Sequence, residues 1–165
     1  MTDGVLLCII ENMNTKTDLF GDPISYNPLE NFKVFEHHVA GTLKSRYFDV
    51  KEQWVLSVNK PNGKTHKIDS IIPSLGLLIE CKLQNTDGTA EEKIDYTMRC
   101  LQYAIDKSKG IYKKAIIVMA GNAWTFKHDI IDTCEKMFPA VEIVIWEDDK
   151  ELLNLPLEYN SVYGR

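Results

Sequence analysis

The chain has no CxxC pair, no glycine-rich phosphate loop and no apolar run of membrane length, and each absence removes a class of protein. Its four cysteines (Cys8, Cys81, Cys100 and Cys134) lie far apart and share no zinc-ligand spacing with the four histidines. Disulfide frameworks and zinc modules are therefore set aside, and free thiols in a reducing compartment are expected. Gly110, Gly121 and their neighbours lack the spacing of a Walker or dinucleotide loop. Apolar runs such as Val5–Ile10 and Leu75–Ile79 fall far short of the ~20 residues a bilayer span needs. Met-Thr-Asp-Gly ahead of the first run has neither the basic start nor the cleavage site of a signal peptide, so a cytoplasmic location is expected. Repeats, low-complexity tracts and charged tails are likewise missing.

What is present suits one soluble domain. At 165 residues with 44% apolar and 26% charged side chains, the chain can bury roughly 70% of its unfolded surface without a covalent staple. The expected division is a single domain over 1–165, with a core at about 28–148. Residues 1–27 read as an N-terminal extension and 149–165 as a C-terminal segment. The net charge of -5 is unevenly spread. Between Lys44 and Lys67, six basic residues (Lys44, Arg46, Lys51, Lys60, Lys64 and Lys67) face only Asp49 and Glu52. Between Val141 and Glu158, six acids face only Lys150. A globally acidic chain is a poor non-specific binder of nucleic acid, yet the basic stretch keeps a local interface available.

Hydrophobic periodicity sets the elements. Val5–Glu11 reads as a strand or helical turn. Phe32, Phe35, Val39 and Leu43 predict a helix entered after Asn27-Pro28. Gln53–Val58 and His66–Ile72 predict a hairpin through Lys60-Pro61-Asn62-Gly63. Pro73-Ser74-Leu75-Gly76 turns into Leu77–Gln84, an apolar strand expected to be buried on both faces. Thr89 and Glu92 fit a capping box opening a helix to about Ser108. Lys114–Met119 is read as a strand, Trp124–Phe138 as a helix, Val141–Trp146 as a strand and Leu152–Leu157 as a terminal segment. This order predicts an α/β fold on a mixed sheet, antiparallel first and joined by crossovers later.

The anomaly lies in Leu77-Leu78-Ile79-Glu80-Cys81-Lys82-Leu83-Gln84. Alternation puts Glu80, Lys82 and Gln84 on one face of a buried strand, where a carboxylate is costly without a partner. A turn centred between Ser74 and Leu75 makes positions summing to 149 face each other, which sets Asp69 opposite Glu80. Like charges on such a pair repel, and a divalent cation with oxygen ligands removes the conflict. Lys82 adds a positive charge beside them.

Asp69, then Glu80-Cys81-Lys82, then Gln84 resembles the site of the PD-(D/E)XK nuclease superfamily, with Ile68-Asp69 where Pro-Asp would stand. The resemblance covers about Phe32 to Trp146 in element order and only a handful of residues in motif. Gln84–Ile94 is similar to a stretch of phage or restriction-type members. The resemblance implies a restriction-endonuclease-like three-layer α/β/α fold with a central mixed β-sheet. It implies an endodeoxyribonuclease of restriction, homing or nicking type, in a bacterial or phage-infected cell. Mg²⁺, for which Mn²⁺ can substitute, would be held by Asp69, Glu80 and the Cys81 carbonyl. Lys82 would orient the attacking water, and Gln84 would position Lys82 or a phosphate. Family members add an acid from the preceding helix. Glu36 and Glu30 are the candidates, and Glu36 is preferred because its neighbours at helical spacing are apolar. Lys44, Arg46, Lys60, Lys64 and Lys67 would contact the backbone of double-stranded DNA. Cutting both strands at this length implies a homodimer or higher homo-oligomer.

Plainer readings stand beside these. Asp69, Glu80 and Lys82 could form an ion-pair cluster on a solvated sheet face, which the apolar neighbours disfavour. Glu36 could be a surface residue and Gln84 a polar strand end. His37 and His38 diverge by ~100° on a helix and read as solvated. His66 reads as a strand residue, and Trp54, Trp124 and Trp146 as packing residues. A non-catalytic nucleic-acid-binding or assembly module on the same scaffold is the alternative function. An acidic inhibitor-like protein is a third.

Overall fold

In the computed structural model, residues 26–47, 49–86, 90–125, 131–132 and 136–154 are described. Five strands form one sheet in the order β1-β2-β3-β4-β5. They are β1 (Lys51–Val55), β2 (Lys67–Ile72), β3 (Leu77–Leu83), β4 (Lys114–Ala120) and β5 (Val141–Ile145). The first three pair antiparallel and the last three parallel. Helix α1 (Phe32–Lys44) precedes the sheet, α2 (Ala90–Lys107) crosses from β3 to β4, and α3 (Asp149–Leu153) follows β5. A parallel pair requires such a crossover, since no tight turn can return the chain to the same end. The architecture is that of a restriction-endonuclease-like α/β fold.

Two cores lie on opposite faces of the sheet. Phe35, Val39 and Leu43 of α1 pack on Ile72, Leu77, Ile79, Cys81, Ile116 and Val118. On the other face Ile94, Met98 and Leu101 of α2 pack on Ile71, Leu78, Ala115, Ile117 and Met119. Alternation along β3 and β4 feeds both, which explains why these strands read as nearly continuous apolar runs.

The turn between β2 and β3 is a short 3-10 segment, Pro73–Leu75, closed by Gly76 in the left-handed region at φ 61. A Cβ there would sit 2.6 Å from the Ile111 carbonyl oxygen, so only glycine fits. This turn sets the pairs Ser70↔Ile79, Ile71↔Leu78 and Ile72↔Leu77, all on the predicted sum of 149. Gly121, at φ 97, lets β4 close on the end of β3, where a Cβ would clash with the Gln84 carbonyl.

Several expectations are corrected. Helix α1 starts at Phe32 rather than directly after Pro28, because the side chain of Asn31 caps it by accepting from Val34 N–H at 3.1 Å. Trp54 is 42% exposed instead of packed, since β1 is an edge strand with little covering it. Trp124 and Trp146 do pack, the latter edge-on against Phe35. Val5–Glu11 and Thr89 lie outside the described residues, as does much of the predicted 124–138 helix. No described helix is long and apolar enough to cross a membrane.

Candidate active site

The pairing of β2 with β3 stops at Ser70↔Ile79, while β3 stays paired with β4 as far as Leu83↔Ala120. Beyond Ser70 the Asp69 carboxylate takes over, accepting from the Cys81 N–H at 2.8 Å through Oδ2. β2 and β3 therefore part where Asp69, Glu80 and Lys82 stand.

Side-chain alternation fails at the same place. Ile68 and Ile71 both enter the α2-side core although they are three residues apart, so the period of two is broken between them. Across the β1–β2 ladder, register places Gln53 opposite Asp69, between the pairs Glu52↔Ser70 and Trp54↔Ile68. Gln53 has φ 50, a left-handed value unusual for a residue with a side chain. Opposite this kink Asp69 lies close enough to Glu36 of α1 for the two carboxyl groups to share a hydrogen bond when one of them is protonated. Glu36 Oε2 also accepts from Gln53 Nε2 at 3.2 Å. Glu30 precedes the cap of α1 and, among the described residues, makes a turn contact from its N–H to the Asn27 carbonyl.

The electrostatics are those of crowded carboxylates. Burial pushes the pKa of Asp69 up to about 7; the bond from Cys81 N–H opposes this, and the charge of Glu36 adds to it. Burial also raises Glu36 and Glu80. Lys82 answers part of this charge. Its Nζ donates to Glu80 Oε1 at 2.7 Å and to the Cys81 carbonyl at 3.2 Å, with only 15% of its side chain exposed. Lys60 and Lys67 act in the same sense, lowering Glu80 and Glu36 respectively against the effect of burial.

The donors near Asp69 are hard oxygens: three carboxylates and one backbone carbonyl. That chemistry suits a divalent ion of the magnesium type. Among the described residues, however, no three Asp, Glu, His or Cys side chains already form one ion-holding group. The cluster is built pairwise, Glu36 with Asp69 and Glu80 with Lys82. The Lys82 ammonium bridges two of the expected ligands, Glu80 and the Cys81 carbonyl. Seating an ion on all four oxygens requires that bridge to open.

The remaining predicted residues divide. Gln84 does not reach Lys82: its Nε2 donates to the Ala123 carbonyl at 2.7 Å, and its Oε1 is buried without a partner. Lys60 and Lys64 close the hairpin tip through a bond from Lys60 N–H to the Lys64 carbonyl. Lys44 is taken up by Glu52, and Arg46 lies 5.7 Å from the centre of the Tyr47 ring.

Three polar residues carry more structure than their sequence context suggests. His37 is exposed and pairs with Glu52 at 3.2 Å. His38, read as solvated, is instead only 15% exposed; its Nε2 meets Asp149 at 2.7 Å and its Nδ1 meets Tyr26 at 3.2 Å. His66 is buried with Nδ1 unpaired, and burial together with Lys60 pushes its pKa down to about 4. Gln53 was missed altogether, since nothing in its neighbours signals a left-handed backbone.

A family model described as PD-(D/E)XK nuclease superfamily domain matches residues 29–141. No curated protein and no solved structure matches the chain.

Proposed function

Because this chain belongs to the PD-(D/E)XK nuclease superfamily, we propose that it is a Mg²⁺-dependent endodeoxyribonuclease acting on double-stranded DNA. The observation that carries the reading is the meeting of Asp69, Glu36, Glu80 and Lys82 where β2 and β3 part. Structural carboxylates are seldom crowded in this way, because each burial raises the cost of the next.

Asp69, Glu80, Glu36 and the Cys81 carbonyl would hold Mg²⁺, with Mn²⁺ able to substitute. A bound ion of this kind polarises a phosphate and lowers the pKa of a water molecule. The protein supplies position and charge. Asp69 is fixed by its bond to Cys81 N–H, so its second oxygen keeps a set direction. Lys82, once freed from Glu80, donates to the attacking water and to the phosphate oxygen on which negative charge gathers. Gln84 serves the site indirectly by tying the end of β3 to Ala123. Lys60 and Lys67 border the carboxylates, and with Lys64 at the hairpin tip and Lys44 and Arg46 further along α1 and beyond it they would grip the DNA backbone. Double-strand cleavage calls for a homodimer, and a single chain would nick.

Supercoiled plasmid incubated with Mg²⁺ tests the assignment. The parent chain should relax or linearise it, and EDTA should stop the reaction. Asp69→Ala and Lys82→Ala should each slow cleavage by about 10²-fold or more. Cleavage unchanged in both variants would reject the site. A parent inert with Mg²⁺ and Mn²⁺ alike would leave a module that binds nucleic acid without cutting it.

A further inference from the structure

We propose that Gln53 is a positioning residue of the site: its left-handed backbone turns its side-chain amide onto Glu36 and so holds that carboxylate toward Asp69. The inference rests on the preceding reading of Glu36 and Asp69 as ion-holding carboxylates.

The geometry begins with a violation of strand alternation. In a regular strand Glu52 and Gln53 would point to opposite faces of the sheet. Here both reach α1: Glu52 pairs with His37 and Lys44, and Gln53 donates to Glu36. The φ of 50 at Gln53 is the cause, because it rotates one peptide out of the pleat. Glutamine has no local reason to adopt that value. Unlike asparagine, it does not favour the left-handed region, and it lacks the freedom of glycine. A conformation of this kind persists only where the surroundings impose it, and such sites cluster at functional positions.

The surroundings impose it from three sides. The pairs Glu52↔Ser70 and Trp54↔Ile68 clamp β1 on either side of the kink without a change of register. Glu52, the residue before the kink, is anchored to His37 and Lys44 of α1. The kink itself falls opposite Asp69, so the strained residue and the central acid occupy one cross-strand position.

An amide at this position also has the right charge. A lysine in place of Gln53 would neutralise Glu36 and compete with a cation. A neutral N–H orients the carboxylate while leaving its charge available. Partners that orient metal ligands in this manner typically contribute ten- to a hundredfold to metal affinity.

The test separates positioning from a merely structural role. Gln53→Gly accepts the left-handed backbone and removes the amide. In the metal-free protein its Tm should match or exceed that of the parent. Its affinity for Mn²⁺ alone, read by calorimetry, should fall about tenfold. In cleavage assays kcat should fall by a similar factor while KM for DNA stays put. Gln53→Asn tolerates the same backbone but is one methylene too short to reach Glu36, so it should show the same Mn²⁺ loss and decides the matter should the glycine variant not fold. Parent-like Mn²⁺ affinity in the folded variants would overturn the role of Gln53 and leave the nuclease reading intact. A parent that binds no Mn²⁺ would overturn both.

Discussion

Strands β3 and β4 run parallel, keep one register over seven pairs and bury most of their side chains, whereas β1 is exposed at every residue but Glu52 and kinks opposite β2. The parallel half obeys the rules of a core: apolar side chains alternate onto two helical layers. The antiparallel half breaks alternation at Gln53 and again between Ile68 and Ile71, and the candidate site lies where the halves meet. Glu80 and Lys82 belong to the regular strand, while Asp69 and Glu36 are brought to it by the irregular one. Rigid support on one side and a locally strained approach on the other bring unlike-facing carboxylates together without loosening the core.

The largest effect that would test this contrast is in stability. Ile117 of β4 is fully buried in the α2-side core, and Val55 of β1 is 54% exposed. Ile117→Ala should cost about 3 kcal/mol in urea denaturation, from lost transfer energy and the cavity left behind. Val55→Ala should cost less than about 0.5 kcal/mol. Equal losses would mean that β1 is covered in solution and that the two halves are not distinct.

A second, intermediate effect has the opposite sign. The folded-state pKa of Asp69 is about 7, above the 3.8 expected of an unfolded aspartate. A raised carboxylate favours folding fully below the unfolded pKa and loses that contribution as pH rises through the folded one. In the metal-free protein at about pH 8 the ionised Asp69 therefore opposes folding. Asp69→Asn should raise Tm by several degrees there, and the gain should vanish near about pH 4. Added Mn²⁺ should stabilise the parent more than the variant. A variant less stable than the parent at alkaline pH would show that Asp69 is not strained by its neighbours.

The same contrast explains what the sequence made legible. The register of β2 on β3 followed from one turn, Pro73–Gly76, because a hairpin transmits its turn geometry along both strands. The burial of β3 and β4 followed from their apolar runs. Asp69, Glu80 and Lys82, the residues proposed for the site, were visible as charge in two apolar strands. The kink was not, because φ at Gln53 is set by α1 and by the strand opposite rather than by its own neighbours. Trp54 misled because an aromatic residue in a strand suggests packing, and edge position is a property of the sheet. His38 misled because its partner Asp149 is 111 residues away, beyond any local pattern.

The smallest expected effect concerns two lysines that composition treats alike. Lys44 and Lys60 both belong to the basic stretch, but Lys44 is already paired with Glu52 at the end of α1. Lys60 sits at the hairpin tip, close enough to Glu80 to lower its pKa. A cation whose charge is spent inside the protein releases few counterions when DNA approaches, whereas one beside the carboxylates at the hairpin tip can neutralise a phosphate. In an Asp69→Asn background, which separates binding from cutting, Lys60→Ala should weaken duplex binding severalfold and reduce the salt slope by about 1. Lys44→Ala should leave both nearly unchanged, since an exposed ion pair contributes little in either state. A larger effect at Lys44 than at Lys60 would move the DNA path from the hairpin to the far end of α1, away from the place where β2 and β3 part.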